Sequence, residues 1–294
     1  MAIQSPPAWI VDQLTSAGRN VGSAEPNDYW SRQADSSAED NGAALPLRRI
    51  GIGDVLNALV LGNNDFRAVR TDVVFLCFLY PILGFVLAWM ASGYQLLPLL
   101  FPLASGFALV GPFAAVGLNE MSRRRELGNE VNWLDAFGVI RSPSIGAIAM
   151  LGTILVVAFL AWLVAANAIY LATLGPEPPV SVAAFAHDLL HTKAGWAMAI
   201  IGLSVGFLFA LLVLAISAVS FPLLLDRKVG LGTAMRTSIR AVATNPVPMA
   251  AWGMIVAVGL VLGSIPLFLG LVIVLPVLGH ATWHLYRKMV PPPR

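Results

Sequence analysis

Residues 73–119 read VVFLCFLYPILGFVLAWMASGYQLLPLLFPLASGFALVGPFAAVGLN, and this stretch contains no Asp, Glu, Lys or Arg. About 20 apolar residues in a helix cross the roughly 30 Å hydrocarbon core of a bilayer, so the stretch is long enough for two crossings. Its middle holds Ser92-Gly93-Tyr94-Gln95, which favours a tight turn. The stretch therefore predicts a hairpin of two transmembrane helices.

Three further stretches, residues 142–176, 194–225 and 241–286, also lack these charged side chains. The first two fit one membrane helix each, and the third fits two, with a turn at Gly263-Ser264-Ile265-Pro266. We therefore predict an all-α integral membrane protein with about six transmembrane helices. The predicted spans are Val73–Ser92, Leu96–Asn119, Ile145–Thr173, Gly195–Leu225, Val247–Gly263 and Pro266–Tyr286.

The composition agrees with this class, because charged residues make up 12% of the chain and about 25% of soluble domains. We expect a disordered polar tail over residues 1–46, a membrane domain over residues 47–290 and a short tail over residues 291–294. The single cysteine, Cys77, excludes an intrachain disulfide and argues against a cysteine-based zinc site. A net charge of +2, spread over loops, gives no sign of nucleic-acid binding.

The basic residues indicate the orientation in the membrane. The chain has 18 Lys and Arg residues, and with six spans all of them except Lys193 fall on the side that holds both termini. Because basic residues concentrate in cytoplasmic loops, we expect a bacterial inner-membrane protein with both termini in the cytoplasm.

Three segments on the cytoplasmic side carry apolar residues at helical spacing, and each leads into a span. The residues are Ile52, Val55, Leu56, Leu59 and Val60; Trp133, Leu134, Phe137 and Ile140; and Leu231, Ala234, Met235, Ile239 and Val242. This pattern is typical of amphipathic helices that lie in the plane of the membrane interface. One interpretation is a threefold repeat of an interfacial helix followed by a membrane hairpin. Three unrelated amphipathic loops are the alternative.

Several stretches of the chain together resemble a known family. They are Val110-Gly111-Pro112-Phe113, Asn119-Glu120-Met121-Ser122-Arg123-Arg124, Phe221-Pro222-Leu223-Leu224-Leu225-Asp226-Arg227, Asn245-Pro246-Val247-Pro248-Met249 and Leu275-Pro276-Val277-Leu278-Gly279-His280-Ala281-Thr282-Trp283-His284-Leu285-Tyr286-Arg287. Over residues 45–290 the chain resembles the bacterial integral membrane family known as domain of unknown function 2189. That family has no established activity. Some of its members are labelled as cytochrome c oxidase subunits, which implies a respiratory oxidase as a partner rather than a reaction.

The four histidines form two pairs at i, i+4 spacing. His280 and His284 share one face of the last predicted span, where they could bind haem or a metal ion or titrate in a proton path. We favour an interfacial pair bonded to backbone carbonyls or lipid headgroups, because no carboxylate or cysteine lies near the pair in sequence. We therefore predict no cofactor, and haem or a metal ion is the alternative.

His187, Asp188 and His191 lie in the predicted outer loop, and the two histidines would share a helix face. A periplasmic zinc or copper site is one interpretation, and a solvated loop helix is the one that we favour. The chain cannot be an oxidase catalytic subunit by itself, since a haem–copper core needs about six histidine ligands and this chain has 4 histidines.

Five residues are assigned to helix packing. Gly202 with Gly206, and Gly259 with Gly263, form G-x-x-x-G steps that allow helices to approach closely, within the bundle or between copies in a homo-oligomer. Asn167 is the lone amide well inside the third predicted span, and we expect it to form an interhelical hydrogen bond.

Three polar residues end predicted spans beside arginines: Asn119, Glu120 and Asp226. We expect them to be solvated anchors, with a gate or a partner contact as the alternative. Because the chain lacks a phosphate-binding loop and the zincin and nucleophile-elbow motifs, an enzyme is disfavoured. We predict a non-enzymatic accessory, assembly or interaction protein of the inner membrane. The alternatives are a transporter or channel for a small neutral or hydrophobic solute, and a haem- or metal-binding redox protein.

Overall fold

The computed structural model describes residues 45–68, 97–266 and 269–292, and every regular element within these ranges is helical. A 3-10 turn spans Leu97–Leu99, and a longer 3-10 helix spans Trp133–Arg141. The α-helices are α1 (Ile52–Ala68), α2 (Leu100–Ala114), α3 (Val116–Glu126), α4 (Ile145–Thr173), α5 (Val182–His191), α6 (Lys193–Ser217), α7 (Ser220–Asp226), α8 (Leu231–Thr244), α9 (Pro246–Ser264) and α10 (Leu271–Met289). The predicted all-α class is confirmed over these ranges.

Four helical segments in the described ranges are long and apolar enough to cross a membrane. They are Leu97–Glu126, Ile145–Thr173, Lys193–Asp226 and Pro246–Ser264. All four overlap predicted spans, although Leu97–Glu126 runs seven residues past the predicted end at Asn119, and this confirms a membrane protein with several apolar helices.

Two of the six predicted spans are not among these four segments. The span predicted at Val73–Ser92 and the tail predicted over residues 1–46 lie outside the described residues, apart from the last two residues of the tail. The span predicted at Pro266–Tyr286 overlaps α10, which begins later, at Leu271, and carries His280, His284 and Arg287 in its C-terminal half; α10 is not among the four. The count of six therefore stays a prediction.

The Lys193–Asp226 segment is interrupted between α6 and α7, at Ala218 and Val219. An interruption of this kind leaves backbone groups without their helical partners. Here the backbone N–H of Val219 donates to the Ser238 hydroxyl of α8 at 3.2 Å, and Ser238 is buried. The amphipathic helix α8 therefore completes the hydrogen bonding of the interrupted helix on which it packs.

The ends of three helices meet at one end of the bundle, which we call the polar end. There α3, α7 and the C-terminal half of α10 pack against one another. Three amphipathic elements surround them: α1 packs against α10, the 3-10 helix against α3, and α8 against α6 and α7. All three predicted amphipathic segments therefore form helices, although Trp133–Arg141 is a 3-10 helix rather than an α-helix.

The helices α1 and α10 approach backbone to backbone. A Cβ atom built on Gly62 would lie 2.5 Å from the backbone nitrogen of Ala281, which is closer than van der Waals contact allows. Val55 and Ala58 of α1 are fully buried in the same cluster as Ala281. Glycine at position 62 is therefore what allows α1 to lie directly on α10.

The apolar stripe predicted on α1 divides between two faces. Val55 points into the protein, whereas Ile52, Leu56 and Val60 lie on the outer face and are each more than half exposed. Exposed apolar residues at i, i+4 and i+8 on such a helix favour contact with the apolar part of a membrane interface.

Candidate functional site

Asp65, at the end of α1, is the centre of a hydrogen-bonded cluster at the polar end. Its Oδ2 atom accepts from the Ser122 hydroxyl of α3 at 2.6 Å and lies 2.8 Å from His284 Nε2 of α10. Its Oδ1 atom accepts from Arg125 Nη1 at 3.0 Å, and the same nitrogen donates to the Asn64 carbonyl oxygen. One buried carboxylate therefore connects three helices that are far apart in sequence.

The surroundings of Asp65 keep it ionised. Burial opposes the charged form, but hydrogen bonds from His284 and Ser122 and the charges of the two imidazoles outweigh it, so that the pKa of Asp65 lies below its ordinary value of 3.8. Asp65 is therefore a hydrogen-bond acceptor at neutral pH.

The ionised state of Asp65 also fixes the protonation of His280. Ser122 has a single hydroxyl hydrogen, which it donates to Asp65, and its oxygen lies 2.8 Å from His280 Nδ1. The Nδ1 atom must then carry the proton and donate to Ser122. The other ring nitrogen of His280, Nε2, is buried and has no hydrogen-bond partner within the described ranges.

The cluster contains the residue types of a catalytic triad in a different order. In a triad, the histidine lies between the serine and the carboxylate, so that it can remove the proton of the serine hydroxyl. Here Ser122 lies between Asp65 and His280, and its proton is directed to the carboxylate. This geometry does not prepare Ser122 as a nucleophile, and instead fixes the positions of the helices.

A narrow cleft beside the cluster is lined by Asp65, Met121, Ser122, Arg125, Val131 and His280 and has no room for a water molecule. Within the described residues, no group of three or more His, Cys, Asp or Glu side chains could hold a metal ion. Each histidine of the predicted pair has one ring nitrogen engaged by the protein: His280 Nδ1 faces Ser122, and His284 Nε2 faces Asp65. A haem or metal role for His280 and His284 stays a prediction.

A second cluster surrounds Asp226, at the end of α7. This carboxylate is fully buried, and its Oδ2 atom accepts from the Tyr286 hydroxyl at 2.5 Å and from Arg287 Nη1 at 2.8 Å. Arg287 also donates from Nε to Glu126 at 3.0 Å, and Trp283 Nε1 donates to the same Glu126 oxygen at 2.7 Å. The ends of α3, α7 and α10 are therefore held by one set of charge-assisted hydrogen bonds.

A third cluster joins α3 to the 3-10 helix. Glu120 is buried and accepts two hydrogen bonds from Arg123 and one from Arg124. Arg124 reaches on to Asp135 at 2.5 Å, and Asp135 also accepts from the backbone N–H of Asn132. Each of the three amphipathic elements is thus attached to the inner helices by polar contacts of its own.

The expectation that Asn119, Glu120 and Asp226 are solvated anchors is wrong. All three are buried, with Asp226 0% exposed. The reason is that the arginines beside these acids turn toward carboxylates within the protein rather than toward water. In the sequence, the signal for these clusters is an acid next to a base at the end of each span. Which residues pair with each acid follows only from the packing of α3, α7 and α10.

The predicted outer site lies on α5, far from the polar end in the fold. His187 and His191 stack with ring centroids 4.8 Å apart, and His187 Nδ1 lies 3.6 Å from an Asp188 carboxylate oxygen. Both histidines are exposed, and His191 Nδ1 lies 3.2 Å from the His187 carbonyl oxygen of its own helix. A zinc or copper site at His187, Asp188 and His191 stays a prediction.

Three of the four predicted packing glycines lie against a neighbouring helix. Cβ atoms built on Gly206, Gly259 and Gly263 would lie within 3.1 Å of Trp162 on α4, Val274 on α10 and Leu271 on α10, respectively. Gly202 faces open space. Asn167 is exposed on α4, and its predicted interhelical bond stays a prediction.

Residues 100–226 match the model of a family described as predicted integral membrane protein, domain of unknown function 2189. The family resemblance found in the sequence is thereby confirmed over these residues, which include α3, α7 and their buried carboxylates Glu120 and Asp226. No curated protein and no solved structure matches the chain.

Proposed function

We propose that the chain is a non-enzymatic accessory protein that binds another membrane protein through the outer face of α6. The supporting observation is the small buried share of its membrane segment. In the most apolar part of Lys193–Asp226 only 11% of the residues are buried, against 22–28% in the other three segments. A helix this little covered by the described part of the chain offers most of its surface to lipid or to a partner.

The outer face of α6 carries large apolar side chains. Among the exposed large residues of this helix, five follow helical spacing: Ile200, Leu203, Phe207, Leu208 and Leu211. Gly202 lies on the other side of α6, on the face that it shares with Gly206. In membranes, helices associate through van der Waals packing, so the large side chains of the outer face are available to lipid or to a second helix.

The polar end also supports a non-enzymatic role. Its carboxylates are hydrogen-bonded or ion-paired to arginine, histidine, serine and tyrosine side chains of the same chain, and these bonds hold the helices in place. A respiratory oxidase is the first partner to examine, because the family resemblance implies one. We also propose that the protein lies in the bacterial inner membrane with both termini in the cytoplasm. In this proposal the chain has three interfacial helices, each followed by a membrane hairpin.

Purification in mild detergent, followed by mass spectrometry, tests the proposal. We expect a second membrane protein at a fixed stoichiometry, and we expect the double variant Leu203→Ala, Phe207→Ala to lose it. Val164→Ala on the exposed face of α4 is the matched control and should retain it. A folded protein that purifies alone would contradict the proposal and would favour solute transport.

Orientation is tested separately. A reporter that is active only in the periplasm should be inactive when fused after Arg294 and active when inserted near Glu177. Reversed activities would overturn the assignment of sides while leaving the partner proposal open to its own test.

A further inference from the structure

The three amphipathic elements differ in charge. Asp54 of α1 lies 3.5 Å from Lys288, and Asp65 of α1 pairs with Arg125. Asp135 of the 3-10 helix pairs with Arg124. The third element, α8, carries Arg236 and Arg240 but no acid, and no Asp or Glu occurs anywhere in residues 227–294.

The two arginines of α8 lie on one exposed face, because they are four residues apart on the helix. Neither forms an ion pair with any residue that the structure describes. Of the three amphipathic elements, α8 is thus the one that carries cations and no acid.

A second pair of arginines lies beside the end of α8. Asn245, the residue after α8, donates from Nδ2 to the Arg48 carbonyl oxygen at 3.3 Å and accepts from the Ile50 backbone N–H at 2.8 Å. These bonds hold the segment 48–50 against the junction of α8 and α9. Arg48 and Arg49 are exposed there and, within the described ranges, form no ion pair.

The surface formed by Arg48, Arg49, Arg236 and Arg240 borders apolar residues at the start of a membrane segment. Ile239 lies between the two arginines of α8, and Val247 opens α9; both are exposed. Because α9 is long and apolar enough to span a membrane, a bilayer crossed by α9 would have its headgroups near the first turn of α9, next to the end of α8 and the segment 48–50. Guanidinium groups bind phosphate oxygens through two parallel hydrogen bonds.

We propose that Arg48, Arg49, Arg236 and Arg240 form a docking surface for the phosphate groups of anionic phospholipids. Four cations without a carboxylate repel one another, and a negatively charged headgroup at the membrane surface removes that repulsion. Each basic residue near an anionic membrane surface strengthens binding about fivefold. The proposal concerns the lipid around the protein and does not depend on the partner proposed for α6.

Native mass spectrometry of the full chain in neutral detergent measures this directly, with phosphatidylglycerol or phosphatidylcholine added at equal concentration. We expect preferential binding of phosphatidylglycerol, and we expect Arg236→Gln with Arg240→Gln to weaken it by at least about tenfold, which is the effect of losing one hydrogen bond between charged groups. Arg236→Lys with Arg240→Lys should keep most of the preference, because the positive charge remains. Lys193→Gln removes an exposed cation at the start of α6, and it should leave the preference for phosphatidylglycerol unchanged.

Equal binding of the two lipids by the unaltered protein would overturn the proposal. So would an unchanged preference for phosphatidylglycerol in the double glutamine variant of α8. If that variant fails to fold in detergent, Arg48→Gln with Arg49→Gln provides the same test, and an undiminished preference there overturns the proposal equally.

Discussion

His284 Nε2 lies 2.8 Å from Asp65 Oδ2, although 219 residues separate the two in the chain. The contact joins the end of the first described helix, α1, to the last helix, α10. Together with Ser122 and Arg125 it also joins both of them to α3. These contacts explain why the C-terminal half of α10 is polar: its histidines bind a carboxylate and a serine within the protein.

Asp65→Asn should lower the free energy of unfolding by about 2–4 kcal/mol, because the variant leaves Arg125 and His284 facing a neutral amide. Thermal unfolding in detergent, followed by circular dichroism, measures the change. Asp54→Asn is the matched control on the same helix, because an asparagine oxygen can still accept from the Gly51 backbone N–H and the pair with Lys288 is long at 3.5 Å. That variant should change stability by less than about 0.5 kcal/mol. Equal effects of the two variants would contradict a special role for Asp65.

Stability should fall in acid through Asp65. Because its pKa in the folded protein lies below the ordinary value of 3.8, the stabilisation is complete above that value and is lost as the pH falls through the folded pKa. The difference in melting temperature between the unaltered protein and Asp65→Asn should therefore be constant from pH 7 to about pH 5 and shrink below about pH 4. A difference that persists unchanged to pH 3 would show that the charge of Asp65 is not its source.

Gly62→Ala should destabilise the protein by about 1–3 kcal/mol, because the added methyl group meets the backbone of Ala281. Gly53→Ala on the same helix is the control, since no atom of the described residues lies within 4 Å of a Cβ at that position. That control should be neutral or slightly stabilising, as alanine is the better helix former. Unfolding measured for both variants in one detergent separates packing from helix propensity, and a neutral Gly62→Ala would show that α1 does not approach α10 so closely.

Asp226→Ala should lower the free energy of unfolding by about 3–5 kcal/mol, because the variant removes the buried carboxylate that Tyr286 and Arg287 share and leaves Arg287 paired with Glu126. Tyr286→Phe removes one hydrogen bond to the same carboxylate while the ion pair remains, and should cost about 1 kcal/mol. The ratio of the two effects is the informative quantity. Similar losses in the two variants would mean that Asp226 is no more than a hydrogen-bond acceptor.

Much of the fold could be predicted from the sequence, because the absence of charge over long stretches depends only on the length of a membrane crossing. Ile145–Thr173 was predicted to its last residue, and the three amphipathic segments form helices. The 3-10 form of Trp133–Arg141 could not be predicted from spacing, since three and four residues both fit its apolar pattern. Its start is fixed by a capping box between Asn132 and Asp135.

The polar clusters could not be predicted, because they depend on contacts between distant parts of the chain. The histidine pair of α10 lacks a carboxylate nearby in sequence, and Asp65 reaches it only because Gly62 lets α1 pack on α10. Asp226 looked solvated because Arg227 follows it directly. Its main partners, Tyr286 and Arg287, come from the end of the chain.

Photo-crosslinking in cells tests the proposed accessory function most directly. A photoreactive amino acid is placed at Phe207 on the outer face of α6, which is 65% exposed, and at Val164 on α4, which is 70% exposed. We predict a discrete crosslink to one membrane protein from position 207 and lipid adducts alone from position 164. Lipid adducts alone from both positions would contradict the claim that α6 binds a partner.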